Sequence, residues 1–213
     1  MELLSPEVED LDVFDPMAES LETQGWFCTD TFFNVEACRA FRHEAEALMA
    51  QASFFPAGIV AGAGDGKIHD PTIRRDWIHW LDTAQSPGAM HRYSMAMERL
   101  RLALNRRLML GLWSLEAHFA CYPPGAFYGR HLDRIGPNGA RILSCTCYLN
   151  EDWSPEDGGA LRLYPGGEDQ DSLDILPLAG RFVCFLSDSV AHEVLVSHRN
   201  RWSVTGWFRL RHG

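Results

Sequence analysis

The stretch YGRHLDRIG, residues 128–136, sets an imidazole, His131, two positions from a carboxylate, Asp133. On an extended chain that spacing turns both side chains to the same side, where they could share a metal ion. With nine histidines in 213 residues, about half a His-x-Asp is expected by chance, so the pair needs a third ligand to mean anything. Two later histidines offer one. His192 follows FLSDSVA and begins a β-rich run, and His198 closes that run beside Arg199. His192 lies 59 residues beyond Asp133, far enough for a sheet to cross a barrel and return. Two imidazoles and one carboxylate on one face of an Fe(II) ion leave three positions open for other ligands. Zinc accepts the same set, but no His-Glu-x-x-His helix accompanies it. Asp188, Ser189 and His192 can be read as a hydrolytic trio, yet Ser189 lacks the turn that a nucleophilic serine needs.

The elements that must position these groups begin near Leu115. Short β-rich runs follow one another, LEAHFACY, RILSCTCYLN, ALRLYPG, RFVCFLS, HEVLVSH and RWSVTGWFRL, with turns at PEDGGA and PLAG. Many short strands without intervening helices predict an antiparallel jelly-roll or double-stranded β-helix barrel. Alternation then sorts the side chains. Ser144, Thr146 and Tyr148 face one way and Cys145, Cys147 and Leu149 the other, while Arg201, Ser203, Thr205 and Trp207 share a face of the last strand. A lumen holding hydroxyls, a tyrosine and an arginine predicts a ligand cavity with an anion in it, because a buried guanidinium without a counter-charge is costly. Parity does not choose between Arg199 and Arg201 as that cation.

The first half reads as helical support for the barrel. Asn34 can cap VEACRAFRHEAEALMAQA, in which Phe41, Ala45, Leu48 and Ala52 recur at helical spacing. Ser86-Pro87 is expected to open a second helix with the apolar stripe Met90, Tyr93, Met97, Leu100, Leu104 and Leu108. No linker or repeat divides the chain, so one domain over residues 1–213 is expected, helical to about 110 and barrel from about 111. A net charge of −10 and a pI near 5.3 argue against nucleic acid as a partner. The acidic N-terminus MELLSPEVEDLDVFDP is unlike a signal peptide, and no apolar run approaches a membrane span. The six cysteines form no CxxC pair and read as buried reduced thiols, which points to the cytoplasm.

Taken together and in order, ACYPPGAFYGRHLD, RILSCTCYLNEDW, GGALRLYPGG, LSDSVAHEV and RWSVTGWF, with TIRRDWIHWL upstream, resemble the 2-oxoglutarate-dependent prolyl hydroxylases. The branch resembled contains the oxygen-sensing animal enzymes and their bacterial relatives, and the likeness covers roughly residues 70 to 210. The resemblance implies that His131, Asp133 and His192 bind Fe(II). It implies that Arg201 grips the distal carboxylate of 2-oxoglutarate together with Tyr148, with Thr205 deeper in the cavity. Tyr122 would lie near the chelating end of the cosubstrate, and Trp207 would form an aromatic wall beside the iron. Relatives that halogenate lack the carboxylate, so Asp133 implies hydroxylation. O2 and 2-oxoglutarate would be consumed, succinate and CO2 would be the coproducts, and ascorbate would serve as reductant.

For the substrate, the resemblance implies contacts from Trp80 and Tyr128 and a pairing of Asp76 with Arg141 across the site entrance. The glycine-rich GIVAGAGDGKIHDP resembles a mobile loop that covers the prolyl substrate. Arg75 stands where the animal enzymes have glycine, no zinc-finger cysteine array precedes the domain, and no helix follows the last strand. These departures imply a bacterial-type protein target, which in some relatives is a translation elongation factor. Two alternatives stay open: hydroxylation of a free amino acid or metabolite, and a non-catalytic sensor of 2-oxoglutarate or iron. The remaining histidines, 43, 69, 79, 91, 118 and 212, read as surface or structural residues.

Overall fold

A computed structural model of the chain describes residues 14–60, 67–82, 88–134 and 139–211. The helices are α1 (Phe14–Gln24), α2 (Val35–Ala50) and α3 (Ala89–Leu108). The strands are β1 (Trp26–Thr29), β2 (Phe55–Pro56), β3 (Ile59–Val60), β4 (Lys67–Ile68), β5 (Trp77–Leu81), β6 (Ser114–Tyr122), β7 (Tyr128–His131) and β8 (Arg141–Tyr148). They continue with β9 (Leu161–Tyr164), β10 (Leu173–Ile175), β11 (Phe182–Leu186), β12 (Ala191–Val194) and β13 (Arg201–Arg209). Asn34 caps α2 as expected, its Oδ1 accepting from the Ala37 amide at 2.8 Å. Pro87 lies outside the described residues, as do residues 61–66 of the glycine-rich stretch; α3 is described from Ala89.

Seven strands form a sheet in the order β1-β11-β8-β13-β6-β5-β2, and four form a second in the order β10-β9-β12-β7. Every pairing in both is antiparallel. This is the expected double-stranded β-helix. Strand alternation splits the apolar residues into two cores. On the outer face of the larger sheet, Phe119, Cys145, Cys147, Phe182, Cys184, Trp202, Val204 and Phe208 pack against Phe41 of α2 and against Tyr93, Met97 and Leu100 of α3. On the inner face, Tyr122, Tyr148, Val183 and Phe185 meet Leu161, Leu163 and Val194 of the smaller sheet. The helices therefore stiffen one wall and leave the lumen to the functional side chains.

Several features lie outside the sequence expectations, among them strand β1, which edges the larger sheet beside β11, and the following three. Helix α1 buries Phe14, Met17, Ala18 and Leu21, a spacing that forms an apolar stripe. Strand β5 joins the larger sheet beside β6. Strand β7, which carries His131, has only four residues and pairs with β12 so that His131 faces His192 directly.

Candidate active site

A cavity of about 930 Å³ opens between the two sheets. Its walls carry Trp80 and Ile78 from β5, Glu116, His118 and Tyr122 from β6, and Tyr128 and His131 from β7. Strand β8 contributes Arg141, Ser144, Thr146 and Tyr148, β12 contributes His192 and Val194, and β13 contributes Arg201, Thr205 and Trp207. Ser144, Thr146 and Tyr148, like Arg201, Thr205 and Trp207, line the cavity as their parity predicts; Arg141, of the opposite parity, reaches it beyond the register shift between β8 and β13.

Ligand atoms of His131, Asp133 and His192 lie within 4.8 Å of one another, the only such group of three among the described residues. The Nε2 atoms of His131 and His192 approach Asp133 at 3.6 and 3.5 Å. Nδ1 of His131 lies 2.8 Å from the Gly129 carbonyl, and Nδ1 of His192 lies 3.3 Å from that of Val190. Each carbonyl favours a proton on Nδ1 and so leaves the Nε2 lone pair facing the cluster. Ser144 Oγ donates to Asp133 Oδ2 at 2.6 Å and sits 2.9 Å from Ser187 Oγ, so the carboxylate is oriented from behind. Burial and the neighbouring His131 hold His192 down to about 4, against the pull of Asp133. Burial pushes Asp133 up, but His192, His131 and Arg141 outweigh it and keep the carboxyl below the ordinary range. One neutral imidazole and one carboxylate, beside a second imidazole, are the ligand states a divalent metal requires. His198 is elsewhere, exposed, with Nδ1 on the Glu156 carbonyl at 2.8 Å.

Deeper in the cavity Arg201 is 2% exposed. Its Nε donates to the Gly159 carbonyl at 2.7 Å, and its guanidinium lies 4.9 Å from the ring centres of both Tyr122 and Tyr148. Among the described residues no carboxylate comes within 4.0 Å of it. Gly159 has φ +65°, and a Cβ there would stand 3.0 Å from Arg201 Cδ, so glycine lets the turn press against the arginine stem. The Tyr148 hydroxyl is fully buried with no protein partner. Burial pushes its pKa up to about 12, partly offset by Arg201, so it stays a donor. Thr205 Oγ1 lies 3.0 Å from Thr146 Oγ1. A buried cation without an anion beside an unpartnered hydroxyl fits the carboxylate of a 2-oxo diacid. Arg199 is exposed and paired with Asp157 at 3.0 Å, so tertiary structure separates the two arginines that parity left equivalent.

The expected Asp76–Arg141 pair does not form. Arg74 takes both oxygens of the wholly buried Asp76, at 2.8 and 2.6 Å. Arg141 instead donates to Glu116 at 2.7 Å, shares that carboxylate with Arg209, and covers the Trp207 ring at 3.6 Å. Residues two apart on an extended chain meet without long-range closure, whereas Arg141 finds a nearer acid across the sheet. Arg74 and Glu116 were missing from the sequence reading. The signal that would have found them is the alternation Arg74, Asp76, Ile78, Trp80 and Glu116, His118, Ala120, Tyr122. His118, read as structural, is buried in the cavity wall with its ring 4.9 Å from Trp80 and 5.2 Å from Trp207.

A family model described as the 2OG-Fe(II) oxygenase superfamily matches residues 117–209. The hypoxia-inducible factor prolyl hydroxylase of Caenorhabditis elegans is 28% identical over 204 residues, 92% of this chain; the chain spans 28% of that relative's length. A crystal structure of a Pseudomonas putida prolyl-4-hydroxylase is 42% identical, with a TM-score of 0.82 over 93% of this chain and 99% of that one. A prolyl hydroxylase from Trichoplax adhaerens, solved with a hypoxia inducible factor oxygen degradation domain peptide fragment, shares the fold with a TM-score of 0.83. That protein is 24% identical, over 95% of this chain and 92% of its own. The His131–Asp133–His192 cluster, the uncompensated Arg201 and these likenesses converge: the chain belongs to the 2OG-Fe(II) oxygenase superfamily, in its prolyl hydroxylase branch, whose members use Fe(II), 2-oxoglutarate and O2.

Proposed function

We propose that this chain is a peptidyl-proline 4-hydroxylase acting on a protein substrate, with residues 1–213 working as one domain. His131, Asp133 and His192 hold Fe(II). Arg201 and Tyr148 hold the distal carboxylate of 2-oxoglutarate, with Tyr122, Thr205 and Trp207 around the rest of it. Bound iron and 2-oxoglutarate supply the oxidising power when O2 arrives, giving succinate and CO2 as coproducts. The protein's part is orientation and exclusion of water. Gly129, Val190 and Ser144 aim the three ligands, while Ile78, Leu161, Phe185 and Val194 keep the cavity wall apolar. Trp80, Tyr128 and Arg141 line the side on which the prolyl group is placed, and Asp76 acts there through Arg74.

One observation carries the choice of a peptidyl over a free amino acid substrate. Arg201 apart, the guanidiniums of the cavity wall already have carboxylate partners: Arg74 has Asp76, and Arg141 and Arg209 have Glu116. A free amino acid would bring its own carboxylate into a cavity whose one uncompensated arginine is taken by 2-oxoglutarate. A proline within a chain brings only neutral amides. The target we favour is a bacterial-type protein, with a translation elongation factor as the first candidate; the support is the motif resemblance and Arg75. The six reduced cysteines, five of them buried, support action in the cytoplasm.

The test supplies Fe(II), 2-oxoglutarate and ascorbate to the enzyme with bacterial lysate proteins, a purified elongation factor or L-proline, then searches for one added oxygen on proline by mass spectrometry. The expected result is a modified peptidyl proline and no turnover of L-proline. His131→Ala, Asp133→Ala and His192→Ala abolish succinate formation, and His198→Ala does not. Turnover of L-proline with no protein modified supports the small-molecule reading, and binding of 2-oxoglutarate without any succinate supports the sensor.

A further inference from the structure

His131 is the most accessible of the three clustered side chains, 18% exposed against 8% for His192 and 7% for Asp133. Its ring is held by Nδ1 to the Gly129 carbonyl two residues back at 2.8 Å and more loosely by Nε2, 3.6 Å from Asp133. The Nδ1 contact selects a tautomer, but a single hydrogen bond does not by itself fix the plane of the ring. Packing supplies what the hydrogen bond does not. The Tyr128 ring stacks on His131 at 3.7 Å between centroids and 18° between planes, and His192 closes the other side at 4.2 Å.

Tyr128 is itself held. The Arg74 guanidinium covers its ring at 4.2 Å. A guanidinium and an imidazole cannot both occupy one face of a phenol ring at these distances, so Tyr128 is sandwiched between them. Arg74 is fixed by both oxygens of Asp76, whose side chain is completely buried, and reaches the Gly58 carbonyl at 3.3 Å. The backbones are tied as well: Arg74 bridges Tyr128, Gly129 N donates to Ile73 O at 2.8 Å and Arg75 N to Phe127 O at 3.0 Å. A buried acid, a guanidinium, a phenol ring and an imidazole thus form one continuous stack ending at the cluster.

We propose that the stack Asp76–Arg74–Tyr128 is a brace that sets the ring plane of His131, which makes Arg74 and Tyr128 positioning residues for the metal. The proposal rests on the reading of His131 as a metal ligand. Aromatic and cation–π stacking restrict tilt of a ring without withdrawing its donor atom, so they suit a ligand whose Nε2 must stay available. Outer partners of this kind matter to metal affinity as much as to shape.

The metal-free protein is titrated with Co(II), whose visible absorption reports the number and angle of its ligands, and thermal melting of each variant checks folding. Tyr128→Phe keeps the stacking ring and retains wild-type affinity and spectrum. Tyr128→Leu loses the ring and binds Co(II) about 10- to 100-fold more weakly, with a shifted absorption band. The double variant Arg74→Gln with Asp76→Asn uncovers Tyr128 without leaving a lone buried charge, and its affinity falls in the same direction. Tyr128→Leu with unchanged affinity and spectrum, alongside a His131→Ala that loses Co(II), overturns the brace. Should Tyr128→Leu not fold, unchanged affinity in the double variant overturns it equally. If His131→Ala itself binds Co(II) as the wild type does, the metal-site reading is what fails.

Discussion

Replacing Arg201 by methionine should weaken 2-oxoglutarate binding and at the same time leave the ligand-free protein no less stable. The two effects have different origins. Arg201 is buried, its terminal nitrogens find no protein acceptor among the described residues, and its compensation comes from the Gly159 carbonyl and the two tyrosine rings. Each cation–π contact contributes about 0.5–2 kcal/mol, whereas burying an ion costs several kcal/mol. Methionine fills similar volume without that cost, so the ligand-free melting temperature should hold or rise, by about 2–4 °C per kcal/mol gained in a chain of this size. Loss of the charge-assisted partner should cost the ligand about 2–5 kcal/mol, or roughly 30- to 4,000-fold in Kd. The assay is thermal unfolding with Mn(II), without oxygen, with and without 2-oxoglutarate. At about 100 times Kd the ligand should stabilise the wild type by about 2.7 kcal/mol, and at that same concentration the variant should gain no more than about 0.9 kcal/mol, falling towards zero at the upper end of the affinity loss. A full ligand-induced shift in Arg201→Met, or its loss in Arg199→Met, would refute the assignment of the buried arginine.

Ser144→Ala removes the 2.6 Å hydrogen bond that orients Asp133 and should reduce metal affinity by about 10- to 100-fold, read in a Co(II) titration, with little change in melting temperature. Asp76→Ala strands Arg74 in a buried site and should destabilise the protein by about 3–5 kcal/mol in denaturant unfolding, whereas the double variant with Arg74→Gln should cost much less. His192 is held down to about 4, below its ordinary 6.5, so the unfolded chain takes up its proton first as pH falls. Stability of the metal-free protein from this group is therefore complete above pH 6.5 and is lost between pH 6.5 and about 4, by up to about 3 kcal/mol. Urea unfolding across that range should show the fall, and His192→Gln should flatten it; an equal fall in both proteins would show that another group is responsible.

Much of the site was legible because strand alternation is a local property. Once RILSCTCYLN and RWSVTGWFRL read as strands, the period of two decided that Ser144, Thr146 and Tyr148 share a side, as do Arg201, Thr205 and Trp207, and the cavity contains them. His131 and Asp133 became meaningful only with a histidine far along the chain, and the motif resemblance rather than spacing singled out His192. Asn34 as a helix cap was equally local, a side chain acting three residues away. Tertiary structure alone decided the charge pairings. Arg199 and Arg201 have the same parity, and what separates them is that one side chain reaches Asp157 at the surface while the other lies beneath the Gly159 turn. Asp76 was expected to pair with Arg141, but in the closed fold it pairs with Arg74, two residues away, and Arg141 pairs with Glu116 across the sheet. Short strands such as β7 carry too few residues for a period to show, and their existence depends on partners supplied from elsewhere in the chain. Alternation is written residue by residue, but the partner of a buried charge is chosen by whichever opposite charge the closed barrel brings within a few ångströms.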